Sequence, residues 1–174
     1  MADNKIADQL KNAFNEINEV NIDLLKKEIP CIIISVKKNR VGHVKELHSQ
    51  ICEAVAGIQK IKMILYIEHT VDPNDLTTAL WRFCNNLDPK RDYFLYQQTK
   101  DELHKNFACI GFDGTRKTKE LDNFQRDWPN IIVANNATIK SVDEKWNELN
   151  AGEFIPSPSL KFKNQMYGEE AIVN

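Results

Sequence analysis

The chain has 174 residues, of which 42 % are hydrophobic and 28 % charged, a balance and length that suit one soluble globular domain with its own core. A net charge of −2 and a pI near 6.1 leave no basic footprint for nucleic acid or an anionic membrane. No apolar run approaches the roughly 20 residues that span a bilayer, and the N-terminus, MADNKIADQL, has no basic-then-apolar leader, so no transmembrane segment and a cytoplasmic protein are expected.

In chain order, Asp3 or Asn4 can cap a first helix with apolar positions at Ile6, Leu10, Ala13, Phe14 and Ile17. From Glu19 to Glu28 the periodicity blurs into a connection with room for a short helix. Pro30 leads into Cys31-Ile32-Ile33-Ile34-Ser35-Val36, an apolar run of the kind found in strands covered on both faces. After a basic turn, Lys37 to Arg40, Gly42 precedes a helix with Val44, Leu47, Ile51 and Val55 on one face, His48 and Cys52 beside them, and Gly57 at its close.

Met63 to Ile67 is a second buried-strand run, ended by Glu68, His69 and Thr70. Asp72-Pro73-Asn74-Asp75 announces the next helix, Asp72 as its cap and Pro73 at its first position. Leu76, Leu80, Phe83 and Leu87 form its apolar stripe, and Asp88-Pro89 stops it. Tyr93 to Tyr96 reads as another strand, and Ala108 to Phe112 as a fourth strand or an ordered loop. Ser141-Val142-Asp143-Glu144 has the pattern of a capping box for a short helix that carries Trp146 and Leu149. Pro156 and Pro158 argue against regular structure in the tail, yet its apolar residues are too many for disorder.

Strand, helix, strand, helix, strand with short connections predicts an α/β three-layer domain. Its small, mainly parallel sheet is built from consecutive βαβ units, flanked by an N-terminal helix and an extended C-terminal tail. Three parts are expected: a helical segment over 1–28, the α/β domain over 29–149, and an apolar tail over 150–174.

Chemistry is harder to find. Cys31, Cys52, Cys84 and Cys109 lack C-x-x-C spacing and read as reduced, mostly buried thiols. The histidines His43, His48, His69 and His104 match no zinc pattern, and His48 on a helix stripe reads as a packed residue. His69 stands at the carboxyl end of a parallel strand, where open α/β sheets hold ligands, although most strand-end residues only make turns. With Glu68, Asp113 and Lys117 it outlines a crevice. No glycine-rich phosphate loop follows any strand. Trp81 points away from the Leu76/Phe83 stripe, so it meets either a second packing layer or another subunit. Phe154, Ile155, Leu160, Phe162 and Tyr167 of the tail are further candidates for an interface.

The motifs carry more than this. Gly42-His43 at a helix start, the Met63–Ile67 strand, Val71-Asp72, Trp81, Asp88-Pro89-Lys90-Arg91-Asp92 and Gly111-Phe112-Asp113-Gly114-Thr115-Arg116-Lys117 follow one another in order. This series resembles the C-terminal domain of the UbiD-like carboxy-lyases, decarboxylases of aromatic and α,β-unsaturated acids that include the polyprenyl-hydroxybenzoate enzyme of quinone biosynthesis. The likeness runs from about Pro30 to Trp128. Two departures stand out: Glu68-His69-Thr70 replaces an acidic D-x-D, and Gly114 replaces an alanine.

The resemblance implies that prenylated flavin mononucleotide, its divalent metal and potassium, and the glutamate–arginine–glutamate catalytic set belong to an N-terminal half whose motifs this chain lacks. No catalytic, cofactor or metal residue is therefore carried over. It implies an association module forming a homo-oligomer. The alternatives are a subunit that completes a decarboxylase in trans with a separate catalytic polypeptide, and a small-molecule-binding regulator.

Overall fold

The computed structural model describes residues 2–55, 60–98 and 107–173; Gly57 and His104 lie outside these. The chain divides into two compact units, Met1–Trp128 and Pro129–Asn174.

The first unit is a three-layer α/β domain. Helix α1 (Ala2–Ala13) leads to strand β1 (Ile17–Asn21), then α2 (Asp23–Lys26), β2 (Cys31–Val36), α3 (His43–Val55), β3 (Met63–Glu68), α4 (Leu76–Asn86), β4 (Tyr93–Gln98), β5 (Phe107–Asp113) and α5 (Lys119–Asp122). The strand order is β1-β2-β3-β5-β4. The core pairs are parallel: Ile32 lies opposite Ile64 in β2–β3, and Ile64 opposite Gly111 in β3–β5. Both edges are antiparallel.

Alternation along the strands sorts the core into two faces. Ile32, Ile34, Ile64, Tyr66 and Cys109 pack under α1 and α3 with Ile6, Leu10, Leu47 and Ile51. Cys31, Ile33, Leu65 and Ile67 pack on the other side with Ala79 and Phe83 of α4 and Leu24 of α2.

Several expectations change. The segment over 1–28 holds a strand as well as helix: β1 closes one edge of the sheet, and Ile17, expected on the first helix, is buried in it. The expected parallel crossover into Tyr93–Tyr96 is instead a step to the far edge, with β5 inserted between β3 and β4. The reason is visible in β4, where Tyr93 and Leu95 are exposed while Phe94 and Tyr96 pack on the core, as suits an edge strand with one solvated face.

Helix α4 also starts later than expected. Asp75 is its cap, its carboxylate accepting from Thr78 N at 3.3 Å and from Thr78 Oγ1 at 2.7 Å, whereas Asp72 closes a local turn onto Asn74 N. Its buried face is Thr78, Ala79, Arg82, Phe83 and Asn86; Leu80 is 43 % exposed and leaves the expected stripe.

The second unit joins β6 (Val133–Ala134) to β7 (Ile172–Val173) in parallel, with α6 (Asn136–Lys145) and α7 (Pro158–Phe162) between them in the chain. Asn135 caps α6 through Thr138 N at 2.7 Å, so Ser141 lies inside the helix and not at its start. Pro158 opens α7 at its first turn, where a proline needs no N–H partner, so the tail is more regular than its prolines suggested. Asn130 ties residue 167 to this unit, donating to Tyr167 O at 2.7 Å and accepting from Tyr167 N at 2.9 Å.

Gly114 sits directly beneath α4: a Cβ there would lie 3.0 Å from Phe83 Cα and run into the Phe83 ring. Gly114→Ala is therefore expected to cost about 1–3 kcal/mol in urea unfolding, with less than additive loss when combined with Phe83→Leu.

Candidate functional site

The parallel strands β2, β3 and β5 all end at one edge of the sheet, and the loops leaving β2 and β5 frame a cleft of about 180 Å³. Lys38 enters from the loop after β2, His43 and Val44 from the start of α3, Asp92 and Phe94 from β4 and the turn before it, and Asp113, Lys117, Asp122 and Phe124 from β5 and the residues beyond. Gly42, at φ +75°, turns the loop into α3.

Lys38, Arg91, Asp92, Asp113, Lys117 and Asp122 of this cleft are matched to one another. Lys117 donates to Asp113 O at 2.7 Å and Thr115 O at 3.1 Å, and its Nζ lies 3.1 Å from Asp113 Oδ1 and 3.7 Å from Asp92 Oδ2. An ammonium has three hydrogens, and these buried acceptors take them. Lys38 is similarly committed, to both Asp122 oxygens at 2.6 and 2.8 Å and to Arg116 O at 2.9 Å. Arg91 makes a two-pronged bond to Asp92, at 2.7 and 2.6 Å, and Asp92 also accepts from Asp88 N at 2.8 Å. Burial alone would raise the Asp113 carboxyl, but the ammonium groups of Lys117 and Lys38 and the hydrogen bonds from Thr115 outweigh it and hold the pKa below the usual aspartate value. The arrangement suits a brace that locks three loops, because Lys38 and Lys117 have no spare donor for a substrate.

Of the four crevice residues expected from sequence, Asp113 and Lys117 meet in this cleft. Glu68 is turned into the layer beneath α4, where Arg82 Nε donates to it at 2.9 Å, Arg82 Nη2 bonds the same oxygen, and Asn86 donates at 3.2 Å. His69 lies in the turn after β3, its backbone oxygen accepting from Asn18, and burial with the nearby Lys37 lowers its pKa. Neither lines the cleft. Lys38, Asp92 and Asp122 were not foreseen as site residues; the available signal was Asp92 in the Asp88–Asp92 motif. Among the interface candidates, Trp81 is 45 % exposed beside Leu80 on α4, and Phe154, Ile155 and Leu160 are each more than half exposed. Phe162 and Tyr167 are half-buried. No helix among the described residues is long and apolar enough to cross a membrane.

The family described as 3-octaprenyl-4-hydroxybenzoate carboxy-lyase C-terminal domain (UbiD_C) matches residues 1–106. The chain belongs to this family. The match takes in α1 and β1, which the motif likeness had left aside, and ends just before β5. An uncharacterized protein of Archaeoglobus fulgidus is 23 % identical over 141 residues, covering 77 % of this chain and 29 % of its own length. Among solved structures, the closed form of vanillic acid decarboxylase from Sedimentibacter hydroxybenzoicus superposes with a TM-score of 0.60 at 18 % identity, over 84 % of this chain and 31 % of that one. The apo 3,4-dihydroxybenzoic acid decarboxylase of Enterobacter cloacae gives 0.51 at 14 % identity, over 92 % and 32 %. The fold is thus that of a UbiD-class decarboxylase C-terminal domain, and the chain spans about a third of the length of these relatives.

A flavin mononucleotide does not fit the cleft. The cleft's volume is below the roughly 300–1,000 Å³ of small-molecule pockets, and Lys38, Arg91 and Lys117 already face Asp122, Asp92 and Asp113.

Removing Lys117 tests the brace. Lys117→Met leaves Asp113 buried beside Asp92 and is expected to lose about 3–5 kcal/mol at neutral pH in urea unfolding. Because the folded Asp113 pKa is depressed, its stabilisation is complete above the unfolded value of about 3.9 and is lost as pH falls below that through the folded value. The gap between wild type and variant should therefore shrink on the acid side; a variant within about 1 kcal/mol of wild type at neutral pH contradicts the brace.

Proposed function

We propose that this chain is the association domain of a UbiD-like decarboxylase, assembling with copies of itself in the cytoplasm and without carrying the decarboxylation chemistry. The observation that supports this reading is the pair Leu80 and Trp81, 43 % and 45 % exposed and adjacent on α4. The helix cannot rotate to hide them, because Arg82 and Asn86 on its opposite face are held by buried Glu68. Exposed neighbouring large apolar residues on a helix locked in this way are suited to burial against a partner, and tryptophan is enriched at the centres of interfaces. Phe154, Ile155 and Leu160, with Phe162 and Tyr167, supply a further apolar surface in the second unit. Homodimerisation is the simplest outcome for such a surface, and a role in quinone biosynthesis would follow from the family's 3-octaprenyl-4-hydroxybenzoate enzyme.

A second reading is that the chain completes a prenylated-flavin decarboxylase in trans, bound to a separate catalytic polypeptide. One structure of the Sedimentibacter enzyme was solved with a truncated ShVdcD component, which favours assemblies of more than one chain in this fold group.

Light scattering coupled to size-exclusion chromatography separates these ideas. The association reading predicts a dimer or larger species for the chain alone, and a monomer with an unchanged circular dichroism spectrum for Leu80→Glu/Trp81→Glu. A strict monomer at high concentration contradicts it, and recovery of mass only on adding a flavin-binding decarboxylase polypeptide supports assembly in trans.

A further inference from the structure

Between α3 and β5 lies a second cluster of reactive side chains that the cleft does not use. His48 and Cys52 are four residues apart on α3 and so share a face. Cys109 meets them from β5, and all three are almost completely shielded from solvent. Their ligand atoms, one from each residue, all lie within 4.8 Å of one another. Tyr66, at the centre of β3, places its hydroxyl 3.0 Å from His48 Nδ1. Gly111 keeps the strand open for the ring: a Cβ there would lie 2.6 Å from Nδ1.

A packed histidine beside two thiols accounts for burial alone; the geometry asks for more. With Nδ1 on the Tyr66 hydroxyl, Nε2 is the nitrogen left for a metal; Cys52 Sγ packs against the ring, 3.6 Å from Nε2 and 3.8 Å from Nδ1. A tetrahedral zinc ion with bonds of about 2.3 Å to sulfur and about 2.0–2.1 Å to nitrogen holds those two atoms about 3.6 Å apart. Nε2 also donates to the Cys109 carbonyl oxygen at 3.4 Å, a hydrogen bond that the metal would replace. Charge supports a divalent ion, since two thiolates and Zn²⁺ are neutral together in a place where an unbalanced charge is very unfavourable. A histidine that gives one nitrogen to the metal and anchors the other on a hydrogen-bond partner is the usual arrangement around bound zinc.

We propose that His48 Nε2, Cys52 Sγ and Cys109 Sγ form a structural zinc site that ties α3 to β5, with Tyr66 orienting the imidazole. Binding converts two thiols to thiolates: each sulfur exchanges its proton for a bond to Zn²⁺, two protons leave to solvent, and no electron moves. The site has no role in decarboxylation and does not depend on the association reading.

The test is titration of the full chain, first stripped by a chelator, with zinc alone. One zinc per chain, release of two protons per zinc and a rise in melting temperature are expected. Zinc-edge X-ray absorption on the wild-type protein should show two sulfur ligands at about 2.3 Å. Tyr66→Phe keeps the ring and should weaken zinc binding about 10–100-fold, whereas Cys84→Ser, on the exposed side of α4, should leave it unchanged. A folded wild-type chain that takes up no zinc overturns the proposal. So does a metal shell without sulfur, or binding that is lost in Cys84→Ser.

Discussion

The buried ion pair between Glu68 at the end of β3 and Arg82 on α4 is the constraint on which the rest of the domain depends. Both side chains are enclosed between the sheet and the helix, with Asn86 bonded to Glu68 and to Gly114 O at 3.1 Å. This links the end of the central strand, the helix above it and the loop leaving β5. An ionised pair in such a place is stable only with its hydrogen bonds complete, so it fixes the rotation of α4 rather tightly. That rotation decides which residues face outward, and they include Leu80 and Trp81. The same ion pair explains the fit of Gly114 under Phe83, because α4 has no freedom to lift.

Much of this was legible from sequence, and the parts that were not have specific causes. β2 and β3 announce themselves because both faces of each are covered and every position but Ser35 and Glu68 is apolar. β1 does not: Ile17-Asn18-Glu19-Val20-Asn21 is an edge strand interrupted by a bulge near Glu19, and its polar residues blur the alternation. The placement of β5 between β3 and β4 depends on hydrogen bonding between strands distant in sequence, which no local pattern encodes. The face of α4 was misjudged because its buried side contains Thr78, Arg82 and Asn86, which look like solvent residues until their partners on the sheet are known. Leu80, equally, looked like core.

The cleft divides in the same way. Asp113 and Lys117 were visible as a strand-end acid with a lysine four residues on. Lys38 and Asp92 come from separate loops and Asp122 from the end of the short helix α5, and an isolated charge in such places ordinarily means a solvated one. Only folding brings them to between 2.6 and 3.7 Å from their partners. Glu68 was expected to outline the crevice, but its side chain faces α4 and is held by Arg82 and Asn86. The geometry is that of an α/β platform in which Lys38, Arg91 and Lys117 are spent on neighbouring carboxylates, with Leu80 and Trp81 exposed on α4.

The most direct test of this account is a double-mutant cycle on Glu68 and Arg82, read by urea unfolding. Glu68→Met and Arg82→Met each strand a buried charge and are predicted to lose about 3–5 kcal/mol, with the double variant recovering much of the combined loss. Single losses that simply add, to within about 0.5 kcal/mol, would contradict the claim that this pair holds α4 in place.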